Sequence, residues 1–181
     1  MKAKPFLQVK DLTQIVVMSA LIAVCSWISI PMAVPFTLQT FAVFVALSLL
    51  GGKKGTIAIV IYILLGLVGL PVFSSFKSGF GALAGPTGGY IWGFILIGGL
   101  YWSLEKVFQH PIIRLVILVV GLFLCYLMGT IQFTAYMNAH GTSYTFYKAL
   151  TVCVIPFIIP DIAKLVLAYF ISGRLKKIIT L

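Results

Sequence analysis

The chain has 181 residues, 61% of them hydrophobic and only 9% charged, against about a quarter charged in an ordinary soluble domain. That excludes a water-soluble globule and leaves lipid as the outer solvent, where backbone polar groups are satisfied only inside helices or a closed barrel. The formal charge of +10, from 13 basic residues against Asp11, Glu105 and Asp161, sits at the ends of apolar runs rather than on one solvated face. This excludes nucleic-acid binding and points to contact with the head groups of membrane lipids.

Long apolar runs without strict alternation select helices, and the length suits a single transmembrane domain over residues 1–181. The first run, 12–31, follows a basic start, lacks a persuasive signal-peptidase site and reads as a retained helix. Further runs at 36–52, 55–71, 86–104, 112–137 and 148–173 scatter around the ~20 residues needed to cross a bilayer core. With the N-terminus inside, the inner side collects Lys2, Lys4, Lys10, Lys53, Lys54, Lys106, Arg114, Arg174, Lys176 and Lys177. The outer side receives only Lys77 and Lys148, while Lys164 lies within a span. This asymmetry predicts an all-α integral membrane protein, a bundle of six transmembrane helices with both termini cytoplasmic.

The outer connections differ in character. Residues 32–37 hold Pro35, residues 72–86 form a longer loop of glycine, serine and phenylalanine, and residues 138–147 join the last two spans. The glycine-rich loop reads equally as a lid over a pocket or as a surface connector. Cys25, Cys125 and Cys153 lie in apolar stretches with no metal-ligand spacing and read as small packing residues.

Candidate functional residues follow from polarity that lipid penalises. Asp161 and Lys164 lie well inside the last run, each at a cost of about 2.5–3.5 kcal/mol on insertion scales, and their i, i+3 spacing puts them on one face. A ligand or ion site is favoured over a structural ion pair. Pro156 and Pro160 just before them suggest a kink, with Pro160 as the first residue of a restarted helix beside Asp161. Gly81, Gly85, Gly89 and Gly93 around the GPTGGY block recur at a spacing that allows close helix approach. Tyr90 in that block reads as a ligand contact or as an interfacial tyrosine. Gln39, just inside the second span, reads as a ligand contact or as a helix-to-helix hydrogen bond. Lys77 and Ser78 in the outer loop are weaker candidates, Lys77 being by default a solvated charge. His110 and His140 fall in connections on opposite sides and form no common site. No GxxxxGK[ST], HExxH or GxSxG motif occurs, and Asp161 is the one acidic residue within a span. P-loop hydrolysis and paired-carboxylate chemistry are thereby excluded, and the chain does not read as an enzyme. The residues alone leave open a self-sufficient proton-coupled carrier with Asp161 as its titrating group.

VPFTLQTFAVF at 34–44, GLVGLPVF at 66–73, GPTGGYIWGF at 85–94 and IPDIAKLVLA at 159–168 together resemble the BioY family, the biotin-binding S components of energy-coupling factor (ECF) vitamin importers. The resemblance implies a multi-pass protein of the bacterial cell membrane that binds biotin near its outer face under the loop after the third span. It has no cofactor, and it works with an ECF coupling transmembrane protein and two ATPase subunits. The family's acid and base on the last helix match Asp161 and Lys164, and its tyrosine matches Tyr90. Its polar loop contacts suggest Lys77 and Ser78. Phe36, Phe41, Phe73, Phe76 and Phe80 supply apolar area at the outer end. S components carry small residues at four-residue spacing on the first helix where the coupling subunit packs, and this sequence offers Ser19 and Ala23 there.

Overall fold

The computed structural model describes residues 8–179, which are almost entirely helical. Helix α1, Val9–Trp27, begins where the Gln8 backbone N–H donates to Asp11 Oδ2 at 3.1 Å. Its stripe of Ile15, Ser19, Ile22, Ala23 and Ser26 is buried, whereas Val16, Val17 and Val24 face outward. The helix stops short of residue 31 because the chain turns into a small antiparallel ribbon, β1 (Ser29–Ile30) with β2 (Phe36–Thr37).

Helix α2, Gln39–Leu67, is not straight. Gly51 sits at φ 81°, ψ 171°, a backbone region essentially reserved for glycine, and there the chain doubles back. Gln39 Nε2 donates to the Tyr62 hydroxyl at 2.9 Å, though 23 residues of straight helix would separate them by about 35 Å. The expected second and third runs are therefore the two arms of a hairpin. Glu105 closes its turn by accepting from the Gly52 N–H at 2.7 Å, so that carboxylate serves backbone donors that helix geometry leaves unpaired. Lys54 pairs with Asp11 at 2.5 Å, and Arg114 donates to the Glu105 carbonyl at 3.3 Å, which gathers these charges at the same end of the bundle as the turn.

Beyond α2, a 3₁₀ turn at Ser74–Phe76 leads to α3 (Gly79–Ala84), α4 (Gly88–Leu104) and α5 (Pro111–Ala139). Added Cβ atoms on Gly89 and Gly93 would lie 2.7 Å from the Met128 carbonyl oxygen and 2.6 Å from Cys125 Sγ, so these two glycines let α4 and α5 touch. Gly81 faces open space and has no such role. The last expected run is split. Short helix α6, Phe146–Cys153, ends at Val154 (φ −126°, ψ −54°), and α7 runs Ile155–Ile179. The restart thus falls at Ile155 rather than Pro160. Pro156 occupies the first turn, where a missing N–H costs nothing, and Pro160 is carried inside the helix with Asp161 in the second turn.

Among the described residues, α1, α2, α5 and α7 are long and apolar enough to cross a membrane, and α4 is a shorter apolar helix. Exposed valine, leucine, isoleucine and phenylalanine side chains cover the outer faces of α5 and α7, as lipid contact requires.

The small-residue face of α1 is turned into the bundle. Ser19 is 1% and Ala23 6% exposed, and Ser19 Oγ donates to the Ala58 carbonyl at 2.9 Å. Ser19 thus faces the second arm of α2. The hydroxyl bond ties α1 to α2, and both small side chains are covered within the bundle.

Candidate ligand-binding site

The loop after α2 is tied down over one end of the bundle. Trp27 Nε1 donates to the Pro71 carbonyl at 2.8 Å, Ser26 Oγ to the Val72 carbonyl at 2.5 Å, and Phe76 stacks on Trp27 with centroids 5.3 Å apart. Phe73 packs edge-on against Tyr62 at 5.6 Å, in the space left by the absent side chain of Gly66. Ser75 and Phe76 take left-handed conformations (φ 59° and 56°), a strain that these contacts hold in place. Under the loop lies a cavity that opens at its mouth. The loop contributes Phe73, Ser74 and Lys77 to its wall.

The cavity's polar centre is built from four elements, β2, α2, α5 and α7. Asp161 of α7 is 3% and Lys164 8% exposed, and Lys164 Nζ donates to Asp161 Oδ1 at 2.8 Å. The ammonium also donates to the Thr37 carbonyl at 2.7 Å and, more weakly, to Thr40 Oγ1 at 3.3 Å, and it lies 3.8 Å from the Phe36 ring centre. Thr40 donates its own proton to Asp161 Oδ1 at 3.0 Å. Tyr126 of α5 donates to Asp161 Oδ2 at 2.7 Å. The pair is therefore charge-compensated and held by hydrogen bonds from other helices, the condition under which buried ions are tolerated. The rest of the wall is largely apolar, including Phe94, Leu122 and Phe157. A mostly apolar cavity with a few converging polar groups is the usual form of a small-molecule site.

The model of the BioY family matches residues 1–180. The chain belongs to the BioY family. It is 43% identical over 163 residues to the biotin transporter BioY of Thermotoga maritima, covering 90% of this chain and 93% of that one. It is 35% identical over 174 residues to a probable biotin transporter BioY of Pyrococcus horikoshii, covering 94% and 98% respectively. Its fold superposes on the crystal structure of the S-component for biotin from an ECF-type ABC transporter, with a TM-score of 0.84 and 29% identity over 97% of this chain and 95% of that one.

In this BioY-family chain, five of the residues expected to meet a ligand share the one cavity: Asp161, Lys164, Tyr90, Gln39 and Lys77. Tyr90 lies flat against Gly129, where a Cβ would overlap its ring, and its hydroxyl makes a long 3.5 Å contact to the Cys153 carbonyl and a side-chain contact with Thr130. Gln132 fixes the approach to Tyr90 by donating to the Leu83 and Gly85 carbonyls, both at 2.8 Å. Gln39 lines the cavity and also bonds Tyr62 across the hairpin.

Ser78 is not on the cavity wall; it precedes α3 as its N-cap. The serine that does line the wall is Ser74, whose hydroxyl is buried without a hydrogen-bond partner. The 3₁₀ turn between them brings Ser74 and Lys77 onto the wall, with Lys77 still exposed to solvent. Phe76 and Phe80 are 63% and 70% exposed and give the cavity no apolar area. Thr40, Ser74 and Tyr126 escaped the sequence reading. Thr40 was within reach as a hydroxyl beside Gln39, whereas nothing local marks Tyr126 among the aromatics of α5.

Proposed function

We propose that this chain is the high-affinity biotin-binding membrane subunit of an ECF-type importer, taking biotin from the outer side. The observation that carries the reading is the buried Asp161–Lys164 pair opening onto a cavity in a chain of this family. Biotin offers two ureido N–H donors, a ureido carbonyl, an apolar bicycle and a carboxylate on an aliphatic tail. A carboxylate oxygen has two acceptor sites, and Asp161 Oδ2 has one bond, to Tyr126, so a second remains for a ureido N–H. Lys164 can exchange its long bond to Thr40 for the ureido carbonyl. Gln39 and Tyr90 flank these groups, the apolar wall suits the bicycle, and Ser74 and Lys77 on the loop side suit the carboxylate.

The same reading takes the bundle as six crossings with both termini cytoplasmic, counting the two arms of α2 separately and adding α4. In its favour, Lys54, the Gly51 turn, Glu105 and Arg114 lie together at one end of the bundle, while the cavity opens under the loop pinned to the far end of α1. Lys2 and Lys4, which add to the inner charge, lie outside the described residues. The chain resides in the cell membrane, performs no catalysis and depends for active import on a coupling transmembrane protein and two ATPase subunits. The test is biotin uptake in proteoliposomes with and without such a module and ATP. ATP-dependent uptake only with the module agrees with the proposal; uptake by the lone chain that collapses with the proton gradient contradicts it.

A further inference from the structure

An acid and a base three residues apart on one helix can neutralise each other completely, and a pair closed in that way presents nothing to a guest. In this chain the pair is held half open. Oδ1 of Asp161 takes both Lys164 Nζ (2.8 Å) and Thr40 Oγ1 (3.0 Å), which occupy its two acceptor sites. Oδ2 takes a single bond, the 2.7 Å bond from the Tyr126 hydroxyl, and that bond comes from α5 rather than from α7. Tyr126 is 5% exposed, lies one turn beyond Leu122 on the same wall, and its ring is fixed edge-on by Phe123 at 6.2 Å. The phenol therefore has a defined position before any ligand arrives. Without it, the carboxylate is free to rotate about its terminal torsion and offer both oxygens to the ammonium, which removes the open acceptor from the cavity.

We propose that Tyr126 is a positioning residue for ligand capture: its phenol keeps Asp161 Oδ2 out of the ion pair with Lys164 and leaves that oxygen one acceptor site for a ligand N–H. The inference rests on the reading of the cavity as a biotin site. It assigns Tyr126 no contact with biotin of its own; the residue acts through Asp161 and so governs how strongly the site demands a donor on its ligand.

Tyr126→Phe removes only the oxygen and keeps the ring that packs on Phe123. Its binding is measured by competition against labelled biotin in detergent-solubilised full-length chain, using biotin and the two analogues methylated at one or the other ureido nitrogen. The wild type is expected to bind biotin and to discriminate about tenfold or more against the isomer whose methyl group replaces the N–H facing Asp161. Tyr126→Phe is expected to bind biotin about tenfold more weakly and to lose most of that discrimination, because the donor being tested no longer has an oriented acceptor. Unchanged biotin affinity overturns the proposal. So does an equal loss for biotin and both methyl isomers, which is the signature of a packing role. A wild type that fails to bind biotin sinks the functional reading and this inference with it, whereas any result obtained with biotin bound to the wild type bears on Tyr126 alone.

Discussion

Replacing Asp161 by asparagine is the substitution whose consequence the geometry fixes most tightly. Oδ1 faces two donors, Lys164 Nζ and Thr40 Oγ1, and the third donor, Tyr126, faces Oδ2. An asparagine amide has one oxygen and one NH₂ group. Placing the NH₂ at the Oδ1 position sets donors against an ammonium and a hydroxyl, so the amide turns its oxygen there and its NH₂ toward Tyr126, whose phenol oxygen can accept. The acceptor left at Oδ2 has then become a donor, and a ligand N–H meets an N–H. The loss exceeds the step from a charged to a neutral acceptor, itself about 1–2 kcal/mol. A fall in biotin affinity of tenfold or more is expected from isothermal titration. The melting temperature falls too, because Lys164 keeps its burial but loses its counter-ion. Unchanged affinity in a variant of reduced stability would refute the argument and leave Asp161 as a structural partner of Lys164 only.

Two further substitutions probe the rim and the wall. Lys77→Ala removes an exposed charge free to be solvated, so it is expected to weaken biotin binding about fivefold at most, with the difference shrinking as salt is added; a loss equal to that of Asp161→Asn would show that the loop carries the affinity. Gly129→Ala places a methyl group in the ring of Tyr90, and overpacking of this kind costs about 1–3 kcal/mol. Thermal unfolding should show that loss together with weakened biotin binding, and a variant of wild-type stability would mean that Tyr90 has room to move away.

How much of this was legible in the sequence depended on whether a feature was local. The apolar runs and their charged ends located the helices, because lipid imposes length and polarity rules residue by residue. The hairpin turn falls at Gly51 and Gly52, the last two residues of the second run, where a non-helical glycine separates the two arms. The end of α1 at Trp27 and the restart at Ile155 were misjudged, since apolar residues continue through both breaks and only tertiary pairing, the small ribbon in one case and the α6 turn in the other, decides them. Asp161 and Lys164 were visible because a charge inside a span contradicts its surroundings. Tyr126 was not, because a tyrosine among apolar residues does not. Its role exists only where α5 meets α7, 35 residues further along the chain. Ser19 and Ala23 carried a spacing that fits any close helix contact, and nothing in the spacing says whether the neighbour is another protein or the second arm of α2.

Titration of biotin into the purified chain, with thiamine and riboflavin as controls, tests the central claim most directly. One biotin per chain should bind tightly, with no heat from either control. Absence of biotin binding by a folded chain, or equal binding of the three vitamins, would contradict the account.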